Sequence, residues 1–163
     1  MLIEPDKRDP KYAMQLSYSE GRNEPFYVPE NLYMIGTMNT ADRSLSLVDY
    51  ALRRRFAFLE MEPNFDSPVF EETLSKRGIS SEMISKIRAM MSELNRKIEE
   101  DVMNLGKGFR VGHSFFVPTN KVLNEKEWIG GIVEFEILPL IEEYWMDDPS
   151  GLTKARAIIG LES

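Results

Sequence analysis

The fold class that the sequence predicts is an α/β unit of strand–helix–strand order over residues 1–62, followed by a mostly helical unit over residues 63–163. Three observations carry this. Leu32 to Met38 form an apolar run softened only by Gly36 and Thr37, the pattern of a strand buried on both faces of a parallel sheet. Helical spacing follows at Leu45, Val48 and Leu52, and a second apolar run, Phe56 to Leu59, stops at Pro63. Beyond residues 62–66 the pattern changes from short apolar runs to long helical periods, which places a boundary there.

Taken in order, residues 1–10 read as the end of a helix entering a charged loop punctuated by prolines. Ala13 to Tyr18 and Phe26 to Val28 can pair as a hairpin across the polar stretch 19–25, which holds Gly21 and Pro25. The Leu32–Met38 run ends in a polar cluster of Asn39, Thr40, Asp42, Arg43 and Ser44. In open α/β sheets, chemistry collects at the carboxyl ends of strands, where Asn39 falls. An asparagine there orients a water or a phosphate, or serves as a turn residue bonding its own backbone. Ser44 or Asp42 caps the helix expected over 45–55, and Arg53, Arg54 and Arg55 close it. Cations suit a helix C-terminus. Arginine is also the side chain that reaches a neighbour's phosphates.

In the second unit, Ser67 as N-cap and Pro68 at the first helical position open a helix that Gly78 closes. Ile84, Ile87, Met91, Leu94, Ile98, Val102 and Leu105 then recur three or four apart, predicting a helix over 81–105 that Gly106 stops. The stretch from Gly106 to Phe116 carries three glycines in seven residues, so its backbone can come close to a ligand or to another helix. Arg110, His113 and Ser114 are its candidate contact residues, and Phe115 to Val117 reads as a short buried strand. A helical pattern resumes from Glu125 to Trp145, with Pro139 forcing a kink or a break. Leu152 to Ile159 forms a last short helix.

Composition excludes several function classes. With 163 residues, 42% hydrophobic and 29% charged, the chain suits one domain or one small domain with part of another. No apolar run approaches the roughly 20 residues of a membrane span, and no signal-peptide pattern opens the chain, so cytoplasm is the default expectation. The absence of cysteine excludes disulfides and thiolate metal sites, and a lone histidine leaves little for an imidazole one, so no metal site is expected. The net charge of −7 argues against a duplex-binding surface.

MNTADRS at 38–44, followed by LVDYALRRRF at 47–56, closely resembles the AAA+ module of the McrB family. These are GTP-hydrolysing motors of restriction systems that cut DNA containing 5-methylcytosine. The likeness runs through YVPENLYMIGTMNTADRS (27–44), LGKGFRVGHSFF (105–116) and EEYWMDDP (142–149), and so through nearly the whole chain. It implies an AAA+ core segment, with a pre-sensor-1 hairpin at 12–28, and a helical lid. Asn39 would be the sensor-1 residue, Arg54 and Arg55 the arginine fingers acting on a neighbour's nucleotide, and Arg43 and Asp49 a subunit-interface pair. Arg110, His113 and Ser114 would lie at the lid, where sensor 2 approaches the nucleotide.

One departure stands out. A phosphate-cradling loop needs G-x-x-x-x-G-K-[ST]. Neither Gly106-Lys107-Gly108 nor the stretch from Gly151 to Lys154 supplies it, and an acidic Walker-B run is missing as well. The expectation is therefore a C-terminal segment of a longer protein, inactive alone and without a cofactor of its own. The resemblance implies GTP (or ATP) and Mg²⁺ for the whole protein. It also implies a homo-oligomeric ring, a McrC-like endonuclease partner, and DNA bound through a separate N-terminal domain. Two other readings remain open at this point: an AAA+ ATPase with a remodelling or chaperone role, and a non-enzymatic AAA+-like interaction domain.

Overall fold

The computed structural model of the protein describes residues 2–15, 25–39 and 53–160. It divides into two compact units, Met1–Glu60 and Met61–Ser163.

In the first unit, prolines at the first helical position start single 3₁₀ turns at Pro5–Lys7 and Pro10–Tyr12. The Asp9 side chain caps the second turn by accepting the Lys11 N–H at 2.9 Å. That backbone bond, more than the nearby Lys11 charge, holds the Asp9 carboxyl below its ordinary range. Met14 and Phe26 exchange two backbone hydrogen bonds of 2.8 Å in an antiparallel bridge, within the two segments expected to pair. Most of the loop expected between them, and most of the helix expected over 45–55, lie outside the described residues.

Among the described residues the two apolar runs carry no strand, so the sheet of the α/β expectation is not shown in this unit. Residues 32–39 and 57–64 have no regular secondary structure and, among the described residues, no ladder partners. Tyr33 is 86% exposed, Ile35 96% and Leu59 90%. The physical reason is that a strand has no hydrogen-bonding partner of its own. It needs a neighbour in register and a covering face, and no described residue supplies either to these runs.

The second unit is helical, built as the periodicity predicts around one long central element. Ser67 accepts the Val69 N–H and Pro68 occupies the first turn, so α1 spans Pro68–Lys76. Gly78 adopts φ 91°, which an L side chain resists, and turns the chain back. Ser80 then caps α2, Ser81–Glu100, by accepting from Met83. Ser80 is itself held from elsewhere in the unit, because its N–H and its hydroxyl both donate to the Glu125 carboxylate. Along α2, Ile84, Ile87, Met91, Leu94 and Ile98 are at most 1% exposed. They form the spine of the core, and replacing any with alanine typically costs about 2–5 kcal/mol.

The stripe ends sooner than its spacing suggests. Gly106, at φ 92°, donates its N–H to Ile98 O, closing the helix at Glu100 and leaving Val102 76% exposed. Phe115 also departs from expectation. Residues His113–Phe116 form a 3₁₀ turn, not a strand, with Phe116 buried and Phe115 turned outward. A turn of three residues lets Phe116 reach the core beside Phe65 without an edge to pair.

The last three helices are α3 (Glu125–Ile132), α4 (Leu138–Tyr144) and α5 (Pro149–Ile158). Between α3 and α4 lies one widened turn, Val133–Ile137, in which Leu138 N–H reaches back five residues to Val133 O. The expected disturbance at Pro139 takes this form. Proline supplies no N–H and its ring crowds the preceding turn, and a π-type turn absorbs the mismatch without ending the helix.

Trp145 at the end of α4 is 2% exposed, donates Nε1–H to Asp101 Oδ2 at 3.1 Å, and lies under Lys97 Nζ. Gly151 in α5 packs directly on it. A Cβ at that position would collide with Trp145 Cδ1 and Asp148 Oδ2 and would stand 2.9 Å from Trp145 Nε1. Gly151→Ala is therefore expected to destabilise the unit by about 1–3 kcal/mol through overpacking, despite alanine's better helix propensity. Denaturant unfolding checks this, and an unchanged or raised midpoint would show that Trp145 can move aside.

Candidate functional site

The described residues hold two clusters of candidate side chains, one in each unit. In the helical unit the glycine-bearing segment 106–116 is held from three sides. Its anchor is Asn95, a polar residue on the buried face of α2 and only 8% exposed. The Asn95 amide donates to Val111 O at 3.0 Å and accepts the Val111 N–H at 2.7 Å, so one side chain satisfies both backbone groups of a buried residue.

Val111 separates two of the sequence-predicted candidates. On one side, Arg110 Nη2 meets Glu62 Oε1 at 3.1 Å and Nη1 lies 3.9 Å from Glu99 Oε2. Its Nε donates to Lys107 O, and the side chain is only 14% exposed. On the other side, His113 Nδ1 accepts the Asn64 N–H at 3.1 Å, which places the ring proton of a neutral His113 on Nε2. The imidazole stands edge-on to Phe65 and Phe70, with centroids 6.1 and 5.9 Å away. Ser114 follows, exposed. The structure thus brings Arg110, His113 and Ser114 into one short stretch, braced by Glu62 and Asn64 from the segment leading into α1.

In the first unit, Asn39 is exposed at the end of the 32–39 run, and Arg54, the middle arginine of the triplet, is exposed. Arg55 is half-buried, with Nε 2.8 Å and Nη2 2.6 Å from the same Glu4 oxygen. Arg8 donates to two carbonyls, Nη1 to Leu32 O at 2.9 Å and Nε and Nη2 to Ile3 O. Arg8, Tyr33, Ile35, Arg55 and Phe56 line an open cavity of about 410 Å³. Arg43 and Asp49 lie outside the described residues. Among the described residues no group of three or more His, Cys, Asp or Glu side chains is placed to hold a metal ion, and no helix is long and apolar enough to cross a membrane.

Sequence reasoning missed Asn95, Glu4, Arg8, Glu62 and Asn64. A signal existed for the first, because Asn95 falls eight residues after Ile87 and four after Met91, a polar position inside an apolar stripe. None existed for the acids, since an isolated glutamate reads as a solvated one until its partner is placed.

Comparison with known proteins bears on the whole chain. Residues 86–153 match the family described as "McrB, alpha-helical lid domain". Over 151 residues the chain is 48% identical to the "Type IV methyl-directed restriction enzyme EcoKMcrB subunit" of Escherichia coli strain K12. The match covers 91% of this chain and 33% of the relative, so the chain spans about a third of the length of the protein it resembles.

Proposed function

The chain is McrB-like and carries the McrB helical lid, and from this premise we propose that it is the C-terminal segment of an AAA+ motor that hydrolyses GTP to drive a methyl-directed restriction nuclease. The observation that carries the reading is the 48% identity to the E. coli subunit over 91% of this chain. Residues 1–62 would complete the AAA+ core, and residues 63–163 would form its lid. The exposed apolar runs at 32–38 and 56–59 fit this, being strands whose sheet neighbours and covering helices belong to the remainder of the protein. The phosphate loop and the Mg²⁺ carboxylates would lie there too, so this segment holds no complete nucleotide site.

In that assembly the phosphates and Mg²⁺ are held by one subunit of a cytoplasmic ring, and the arginines come from the next. Asn39 sits at the strand end facing the γ-phosphate and orients the attacking water. Arg54 and Arg55 carry charge to the neighbour's nucleotide, Arg43 and Asp49 fix the interface, and Arg110, His113 and Ser114 bring the lid toward the base and phosphates. A McrC-like nuclease is the partner, and a separate N-terminal domain binds DNA.

The test is kinetic. In the full-length protein Asn39→Ala is expected to lower kcat for GTP strongly at unchanged KM, because an interaction that orients water is realised mainly in the transition state. A raised KM with kcat intact would make Asn39 a binding residue. Absence of GTP hydrolysis by the unaltered full-length protein would overturn the reading itself.

A further inference from the structure

We infer that Glu62 is a positioning residue of the lid site. It holds the Arg110 guanidinium in place and, together with the Asn64–His113 bond, makes the segment entering the helical unit one piece with residues 110–113. The inference rests on the nucleotide-facing reading of the lid given above and deepens it. Glu62 and Asn64 reach residues 48 and 49 positions later in the chain. Glu62 Oε1 accepts from Arg110 Nη2 at 3.1 Å, and the Asn64 N–H donates to His113 Nδ1 at 3.1 Å. Pro63 stands between them, with its own φ fixed by its ring, and it turns Glu62 away from helical backbone. The two contacts are therefore held at a set spacing by a stiff piece of chain.

Both sides of this contact are anchored. Immediately after Asn64, Phe65 is buried, its carbonyl accepts from Arg88 Nε at 2.8 Å, and its ring stands edge-on to Phe70, His113 and Phe116. Between Arg110 and His113, Val111 is pinned by Asn95 of α2. What remains to be set is the direction of the Arg110 side chain. Its Nε donates to Lys107 O at 3.1 Å, which fixes the base of the guanidinium. Two carboxylates bear on the far end. Glu62 stands at hydrogen-bond distance, whereas Glu99 lies 3.9 Å from Nη1 and is shared with Lys107 Nζ at 3.6 Å. A charge-assisted contact is directional only at hydrogen-bond distance, so Glu62 orients the guanidinium while Glu99 adds its field. The pair is lopsided, with the Arg110 side chain 14% exposed and that of Glu62 55%. A carboxylate so open to solvent adds little to stability. It decides where a nearly buried cation points.

The experiment uses the full-length protein and a non-hydrolysable GTP analogue with Mg²⁺. Glu62→Ala is expected to weaken binding of the analogue about tenfold, the size of the coupling between side chains in contact, while the denaturation midpoint stays close to wild type. Glu62→Gln, which keeps an acceptor oxygen, should recover part of that affinity. Arg110→Ala should cost at least as much, and the double variant no more than Arg110→Ala, because Glu62 acts through Arg110. Glu99→Gln should cost less than Glu62→Ala. Losses that add in the double variant, or an equal loss in Glu99→Gln, would overturn the inference. Docking of the entering segment is read separately, in the nucleotide-free protein. His113→Phe keeps a ring against Phe65 and Phe70 but removes the acceptor, and should speed amide exchange at Asn64. Equal exchange in variant and wild type would show that the segment is not held there. Normal binding of the analogue by Arg110→Ala would instead overturn the nucleotide-facing reading of the lid, while exchange at Asn64 still reports the docking on its own.

Discussion

Arg54→Ala is expected to abolish GTP hydrolysis by the full-length protein while leaving nucleotide binding largely intact. An arginine that meets a nucleotide only as charge develops on the transferred phosphoryl group contributes to kcat, and such trans-acting arginines are worth about 10³–10⁵ in rate. Arg54 is the middle residue of the Arg53–Arg55 triplet, and its side chain is exposed. The decisive arm is complementation. An Arg54→Ala protein mixed with a phosphate-loop variant should regain part of the activity, since mixed rings contain interfaces with one intact half from each partner. Were Arg54 only a cation at a helix end, its loss would remove about 0.3–1 kcal/mol of stability and hydrolysis would persist. Activity lost but not restored by mixing would place its action inside its own subunit.

How much of this was legible in the sequence follows from how local each signal is. The α1 start at Ser67-Pro68, the turn at Gly78 and the spine from Ile84 to Ile98 rest on caps, positive-φ glycine and 3.6-residue spacing. Each of these acts within one helix, and each formed as expected. Pro139 announced a disturbance, but its form, a widened turn and not a break, depends on packing around Ile137 and Ile141 that spacing does not encode. The runs at 32–38 and 56–59 read as buried strands because their composition is that of buried strands. Composition cannot provide the neighbours that pairing needs, and among the described residues those neighbours are absent. For the candidate site, Asn39, Arg54 and the 106–116 glycines stood out by residue type. Glu4, Arg8 and Glu62 each meet a partner distant in sequence (Arg55, Leu32 and Arg110), which no local pattern encodes.

Asn95 is the residue through which the candidate lid site and the core depend on each other, and Asn95→Ala is expected to be among the most destabilising single changes in the helical unit. Its amide is the hydrogen-bond partner of both Val111 N–H and Val111 C=O, and Val111 is 1% exposed. Alanine would leave two backbone groups buried away from solvent without these bonds, at about 1–3 kcal/mol for each. Asn95→Leu would not rescue the loss, because added apolar contact satisfies neither group. Asn95→Asp would keep the acceptor but set a carboxylate oxygen against the Val111 carbonyl, burying a repulsion. The effect should also reach beyond stability. Val111 lies between Arg110, paired with Glu62, and the Gly112–His113 step that docks on Asn64. Releasing it frees the segment that carries Arg110, His113 and Ser114. Denaturant unfolding, together with amide hydrogen exchange at Val111, separates the two consequences. Wild-type protein should protect the Val111 amide nearly as well as the α2 spine, and Asn95→Ala should lose that protection as well as midpoint stability. An unchanged midpoint with Val111 still protected would mean that the backbone of this loop finds other partners, and that Asn95 is a bystander on the face of α2.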